Sequence, residues 1–95
     1  MQYEWDNGKA ALNLRKHGVG FPEAIAALED PNRLENLDPE FVNGEERTQV
    51  IGIARGGVLF VVVTLRDEHT CRIISARKAT RHEQDQYYAG KQETW

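Results

Sequence analysis

Cysteine is almost missing from this chain. The one present, Cys71, leaves no internal disulfide to form and suits a reducing, cytoplasmic compartment. Beside Arg72 in a strand pattern it reads as a small core side chain rather than a nucleophile. Long hydrophobic runs are missing too. The longest, Val58-Leu59-Phe60-Val61-Val62-Val63, is of strand length and far short of the roughly 20 residues that span a bilayer. The start, Met1-Gln2-Tyr3-Glu4-Trp5-Asp6, has neither the basic opening nor the apolar core of a signal peptide. His17, His69 and His82 are scattered, with no cysteine spacing and no His pair one helical turn apart, so no zinc pattern arises and no metal ligand set is expected. Walker and dinucleotide fingerprints are absent, and no cofactor is implied. Gly56-Gly57 suits a hairpin, and Ser75 lacks the G-x-S-x-G turn that would expose a nucleophile.

An excess of positive charge is also missing: the net charge is -3, an unpromising figure for a nucleic-acid binder. The distribution changes that view. Residues 21–46 hold eight acidic side chains (Glu23, Glu29, Asp30, Glu35, Asp38, Glu40, Glu45, Glu46) against Arg33 alone, so that stretch carries -7. The remainder carries +4. One face can therefore be basic while another is acidic, unless the acidic stretch is simply a solvated surface. A chain of 95 residues, 40% hydrophobic and 28% charged, has the composition of one soluble domain over 1–95. No repeat, low-complexity stretch or linker interrupts it.

Along the chain, Gln2 to Trp5 is a short strand candidate. Asp6 is a good N-cap for a helix over 7–17, and Gly18 supplies its left-handed C-cap. On that helix Lys9, Asn13 and Lys16 share one side with His17 adjacent, while Ala10, Ala11 and Leu14 suggest the packing face. Phe21-Pro22 opens a second helix whose Phe21, Ile25 and Leu28 repeat at helical spacing, and Asp30-Pro31 ends it. The two form a helical hairpin. Residues 32–46 are polar and irregular, with turn signals at Pro39 and Asn43-Gly44 and a short strand near 33–37. Strands over 47–53, 58–66 and 71–77 make an antiparallel meander, the middle one apolar enough to be covered on both faces. Thr80 with Glu83 is a capping box, so a last helix starts at 81 and ends near Gly90, and the tail from Lys91 to Trp95 is expected to fray.

Residues 72–83 concentrate the chemistry. Arg72, Arg77, Lys78 and Arg81 surround the strand-to-helix junction, and a helix N-terminus favours anions through its free N–H groups. This is either a phosphate site or plain solvated strand-end charge. Arg66 and Arg72 flank one hairpin turn and lie close together whatever the register. Arginine, lysine, histidine and tyrosine on a small sheet suit RNA cleavage without a metal. The ribose 2′-hydroxyl is the nucleophile, and the protein supplies proton transfer and cations for the scissile phosphate. Arginine is a poor base, so His17, Glu83 and Tyr87 are the candidates for proton transfer. A basic cluster without catalysis would bind nucleic acid equally well.

The chain resembles the BrnT toxins of type II toxin–antitoxin modules, which group with RelE-like ribonucleases. The resemblance rests on Glu4-Trp5-Asp6 with Lys9, and on Asn13-Leu14-Arg15-Lys16-His17-Gly18-Val19 with Phe21 and Ala24. It continues through Asp30-Pro31, Glu46-Arg47 and Ile51-Gly52 to Arg72-Ile73-Ile74-Ser75-Ala76-Arg77-Lys78-Ala79 with Glu83 and Tyr87. The chain departs from the family at Ala27, where a bulkier residue is common, and in a longer segment before Glu46. The resemblance implies a compact α+β fold: an antiparallel sheet, an N-terminal helical hairpin and a C-terminal helix. It implies a metal-independent endoribonuclease that arrests growth, with a BrnA-type antitoxin as partner and operator DNA bound only through their complex. Carried over as catalytic candidates are Lys16, His17, Arg66, Arg72, Arg77 and Tyr87. Trp5, Lys9, Lys78 and Arg81 follow as substrate-binding candidates. The competing readings are a non-catalytic module acting as co-repressor with a DNA-binding partner, and a degenerate toxin kept for binding alone.

Overall fold

The apolar run at 58–63 becomes the middle strand of a five-stranded sheet in the structure, a computed structural model that describes residues 1–38 and 44–90. The turn signals Pro39 and Asn43 and the tail 91–95 lie outside the described residues. The elements in order are β1 (Gln2–Glu4), α1 (Asn7–His17), α2 (Phe21–Leu28), β2 (Leu34–Leu37), β3 (Thr48–Ala54), β4 (Gly57–Leu65), β5 (Thr70–Lys78) and α3 (Arg81–Ala89). The sheet runs β1-β5-β4-β3-β2.

Alternation along β4 divides its side chains between two layers. Leu59, Val61 and Val63 meet Phe21, Ala24, Ala27 and Leu28 of α2, with Val50, Cys71, Ile73 and Ala76 from the neighbouring strands. Val58 and Phe60 meet Ile51, Leu34, Ala79 and Tyr87 on the opposite face, where α3 lies. β4 is thus covered on both sides, as its unbroken apolar run demands. Phe21 and Ile51 are wholly buried, each worth about 1.5–3 kcal/mol of transfer free energy. Cys71 is one of these core side chains, and burial pushes its thiol up to about 11.

The meander β3-β4-β5 is antiparallel and β2 extends it in the same sense, whereas β1 joins β5 in parallel. Parallel neighbours need a long connection, and here the helical hairpin and the rest of the sheet supply it. α1 opens on Asp6, whose carboxylate accepts from the Lys9 N–H at 2.8 Å, and closes on Gly18 at φ 70°. α3 opens on the expected capping box of Thr80 and Glu83 and closes on Gly90 at φ 70°.

α1 departs from its apolar pattern. Ala11 and Leu14 face solvent, and the residue it buries is Asn13. The cause is hydrogen bonding. β1 covers β5 only from Thr70 to Arg72, which leaves the outer edge of β5 open further along. The Asn13 amide closes it: its Nδ2 donates to the Ala76 carbonyl at 2.8 Å and the Val19 carbonyl at 3.0 Å, and its Oδ1 accepts from the Ala76 N–H at 3.2 Å. An alanine or leucine facing inward there could satisfy none of these groups.

Candidate functional site

The parallel pairing of β1 with β5 sets Glu4 opposite Arg72. Leu65 ends β4 beside Cys71, so Arg66 arrives at the same corner from the turn. One carboxylate oxygen, Oε2 of Glu4, then serves both guanidiniums. Arg72 grips it side-on, with Nε at 2.9 Å and Nη2 at 2.8 Å, and Arg66 reaches it with Nη1 at 3.3 Å. Arg66 is exposed, and Glu4 and Arg72 are half-buried. The two arginines that flank the hairpin turn are therefore neighbours, and Glu4 offsets one of their two charges.

A second basic group lies along the same strand edge. A cleft of about 280 Å³ opens between α1 and β5, lined by Lys9, Leu12, Asn13, Lys16, His17, Ile74 and Ser75. Its shape has a local cause. The β4–β5 register slips between Val62 and Val63, so Ile74 is the extra residue of a bulge that turns the edge toward α1. Lys9 and Lys16 are exposed at the rim and His17 is half-buried. Arg72 and Ser75 are about 10 Å apart along the strand, so cleft and arginine corner adjoin. Arg72, Ser75 and Arg77 pair with Thr64, Val62 and Phe60, and so share the sheet face that α3 covers only in part. Trp5, next to Glu4 in the chain, is half-buried with its ring edge-on to Phe21, centroids 6.0 Å apart, and so anchors the hairpin.

The remaining sequence-derived candidates go elsewhere. Arg77 lies over the Phe60 ring at 4.1 Å and is bound by both nitrogens to Glu83, at 2.8 and 2.9 Å. Glu83 also accepts from the Thr80 N–H at 2.8 Å. Burial pushes the Glu83 carboxyl up, but the Arg77 fork and the Thr80 bonds outweigh it and hold the group below the usual carboxylate range. At the α3 N-terminus, where the sequence left a phosphate site or plain solvated charge open, the chain's own Glu83 carboxylate lies against Arg77 and the Thr80 N–H. Lys78 is exposed, and Arg81 is exposed and loosely paired with Asp85 at 3.6 Å. Tyr87 is buried, and its hydroxyl donates to Asp30. Burial and that bond push its pKa up to about 12, and the bond ties the end of α3 to Asp30. The structure brings Lys9, Lys16, His17, Arg66 and Arg72 to one edge. Arg77, Lys78, Arg81 and Tyr87 surround α3.

Two contributors were not recognised as such in the sequence. Glu4 stood out only as part of a motif; its role as the arginines' counter-ion depends on a parallel pairing across 68 residues. Asn13 was visible as a polar residue on a helix, but nothing local says that it faces a strand edge. A larger hollow, about 670 Å³, lies elsewhere between the 30–34 turn and the end of α3; among the described residues that line it the one cation is Arg33, which is paired with Glu35 at 3.2 Å. Among the described residues no three His, Cys, Asp or Glu side chains are grouped to hold a metal ion, and no helix is long and apolar enough to cross a membrane.

A small mixed sheet with a helical hairpin on one face, a short helix on the other and cations along one edge places the molecule in the class of compact α+β proteins with a basic rim. Residues 5–83 match the profile of the ribonuclease toxin BrnT of type II toxin–antitoxin systems. The match covers most of the chain, which therefore belongs to the BrnT family of ribonuclease toxins. Among solved structures, the chain is similar to the Brucella abortus ribonuclease toxin BrnT, known from a crystal structure at 1.1 Å resolution. The TM-score is 0.58 and the identity 23%, over 85% of this chain and 99% of that one, a likeness that speaks to the fold. No curated protein matched the sequence.

Proposed function

We propose that this chain is the toxin of a type II toxin–antitoxin module that acts as a metal-independent endoribonuclease. It would cut RNA through the substrate's own 2′-hydroxyl and be neutralised by a BrnA-type antitoxin. Arg66 and Arg72 bind the scissile phosphate and stabilise the charge that develops on it. His17 or Lys16, across the adjoining cleft, transfers the proton. Lys9 and Trp5 border the path of the RNA. The observation that carries this reading is the cleft lined by Lys9, Lys16, His17 and Ser75 on the same strand edge as Arg72. Proton-transfer groups and phosphate-binding groups must converge within one nucleotide, and this edge is where the chain gathers both. Arg77 and Tyr87 are assigned to holding α3. The antitoxin covers the basic edge and excludes RNA, and operator DNA is bound by the complex of the two.

The test is cleavage of an RNA by the purified protein in EDTA, with Arg72→Ala, His17→Ala and Lys16→Ala compared at matched thermal stability. The Arg72 side chain is 40% exposed, so its loss should change stability by no more than about 1 kcal/mol. Activity should fall at least about 100-fold, the scale of one lost charge-stabilising donor. Cleavage that survives Arg72→Ala would move the phosphate site elsewhere. The co-repressor reading is favoured by one observation: Arg66, Arg72 and Arg77 are all already paired with carboxylates. A folded wild type that cuts no RNA yet strengthens operator binding by its antitoxin would establish it.

A further inference from the structure

Glu4 treats its two arginines unequally. Arg72 is held by two nitrogens at 2.8 and 2.9 Å, ordinary lengths for a charge-assisted pair. Arg66 is held by one nitrogen at 3.3 Å, beyond the usual range. The backbone that carries the carboxylate is well fixed. Glu4 is the last residue of a strand whose start is tied by Gln2 N–H to the His69 carbonyl at 2.6 Å, and two residues later Asp6 caps α1. An anion on a fixed strand therefore clamps the guanidinium on β5 and only tethers the one on the turn. Among the described residues the Arg66 guanidinium makes no other hydrogen bond or ion pair, although the Asp67 carboxylate feels its charge, and its backbone N–H is held by the Thr70 carbonyl at 2.9 Å.

We propose that Glu4 is a positioning residue for substrate phosphate: it locks Arg72 in place and tethers Arg66 by one long contact, so that Arg66 exchanges Glu4 for a phosphate oxygen when RNA binds. This deepens the ribonuclease reading and rests on it. Geometry and charge argue for the exchange. A phosphate arriving beside Arg72 meets two guanidiniums that share the one Glu4 oxygen, with Asp67 next to Arg66, and the contact it most easily displaces is the long one. Arg72 keeps its side-on grip and presents the rest of its fork in a set orientation. Glu4 accordingly favours catalysis through a fixed Arg72 and opposes ground-state binding through its own charge.

The experiment is a double-mutant cycle over Glu4 and Arg66, read by binding and by cleavage. Binding uses a 2′-O-methyl RNA oligonucleotide, whose nucleophile is blocked, followed by fluorescence anisotropy across a salt series. Glu4→Gln should bind several-fold tighter, and on the cleavable RNA its KM should fall while kcat drops about tenfold. Arg66→Ala should bind more weakly, with a salt slope shallower by about 0.7, the loss of one phosphate contact on a single strand. The gain from Glu4→Gln should vanish in the Arg66→Ala background. Glu4→Asp keeps the charge but withdraws it, and should tighten binding less than Glu4→Gln. A gain that persists undiminished without Arg66 would overturn the exchange, because Glu4 would then act as bulk charge alone. A Glu4→Gln protein whose activity falls only as its melting temperature falls, with KM unmoved, would also overturn it. Failure of the underlying reading looks different: the wild type binds the oligonucleotide but cuts no RNA, and the binding cycle still decides the exchange.

Discussion

Arg77 and Glu83 show how a residue type misleads when its partner is unknown. The two features that suggested a phosphate site, a basic strand end and a helix N-terminus, both meet the carboxylate of Glu83 here. The Glu83 side chain is 10% exposed and that of Arg77 34%. Removing Arg77 leaves Glu83 buried without its fork. The cost of 3–5 kcal/mol for a fully buried pair is discounted by Arg77's exposure to about 1–3 kcal/mol. Arg77→Ala should therefore lower the unfolding free energy read from urea titration by that amount, in contrast to Arg72→Ala. The same pair sets an acid limit. Glu83 has a folded pKa below its ordinary value of 4.5, so it contributes stability above that pH, and the contribution is lost as pH falls through the folded value. Chemical denaturation from pH 7 to pH 3 should show a drop below about pH 4.5 that is smaller in Glu83→Gln. An identical pH dependence in that variant would rule Glu83 out as its source.

At the scale of the element, each helix is held by a feature that its periodicity does not reveal. α1 is fastened to β5 by Asn13, whose replacement by alanine strands three backbone groups in a buried place. Even with partial access of water, a loss of about 2–4 kcal/mol is expected in Asn13→Ala, measured by denaturant titration. α2 lies so close to β3 that a Cβ on Gly52 would sit 2.2 Å from the Ala27 carbonyl oxygen. That neighbour is backbone and cannot swing aside, so Gly52→Ala must push the helix off the sheet, at a cost of at least about 2–3 kcal/mol. A Gly52→Ala protein as stable as wild type would show that α2 can shift freely. Ala27 itself is wholly buried in this contact, which suits a small side chain. α3 is anchored at its far end by Tyr87 on Asp30, which also accepts from the Asn32 and Ile53 N–H groups at 2.9 and 2.8 Å.

Over the whole molecule, the uneven charge becomes a geometric separation. β1, β5 and α1 put Lys9, Lys16, Arg66 and Arg72 at one edge of the sheet. The described part of the acidic stretch runs through α2 and β2 toward the other edge. A partner that covers the basic edge should therefore bind by charge. The affinity of the antitoxin complex is expected to fall at least about tenfold between 50 mM and 500 mM salt, as surface charge pairs are screened. An affinity indifferent to salt, by isothermal titration calorimetry, would remove the electrostatic account of neutralisation.

The sequence by itself determined the local elements, because their causes are local: Asp6 and Gly18 bound α1, Thr80 and Glu83 start α3, and an unbroken run from Val58 to Val63 calls for a strand buried on both faces. It also made Arg66 and Arg72 neighbours, since a short hairpin turn joins them. Only the tertiary structure decided which charges are spoken for. Whether an arginine faces a carboxylate or an open cleft depends on pairings such as Glu4 with Arg72 or Asn13 with Ala76, 68 and 63 residues apart. No periodicity encodes those distances. They follow from β1 lying parallel beside β5 and from the bulge at Ile74, and these place the cleft on that edge rather than at the α3 N-terminus.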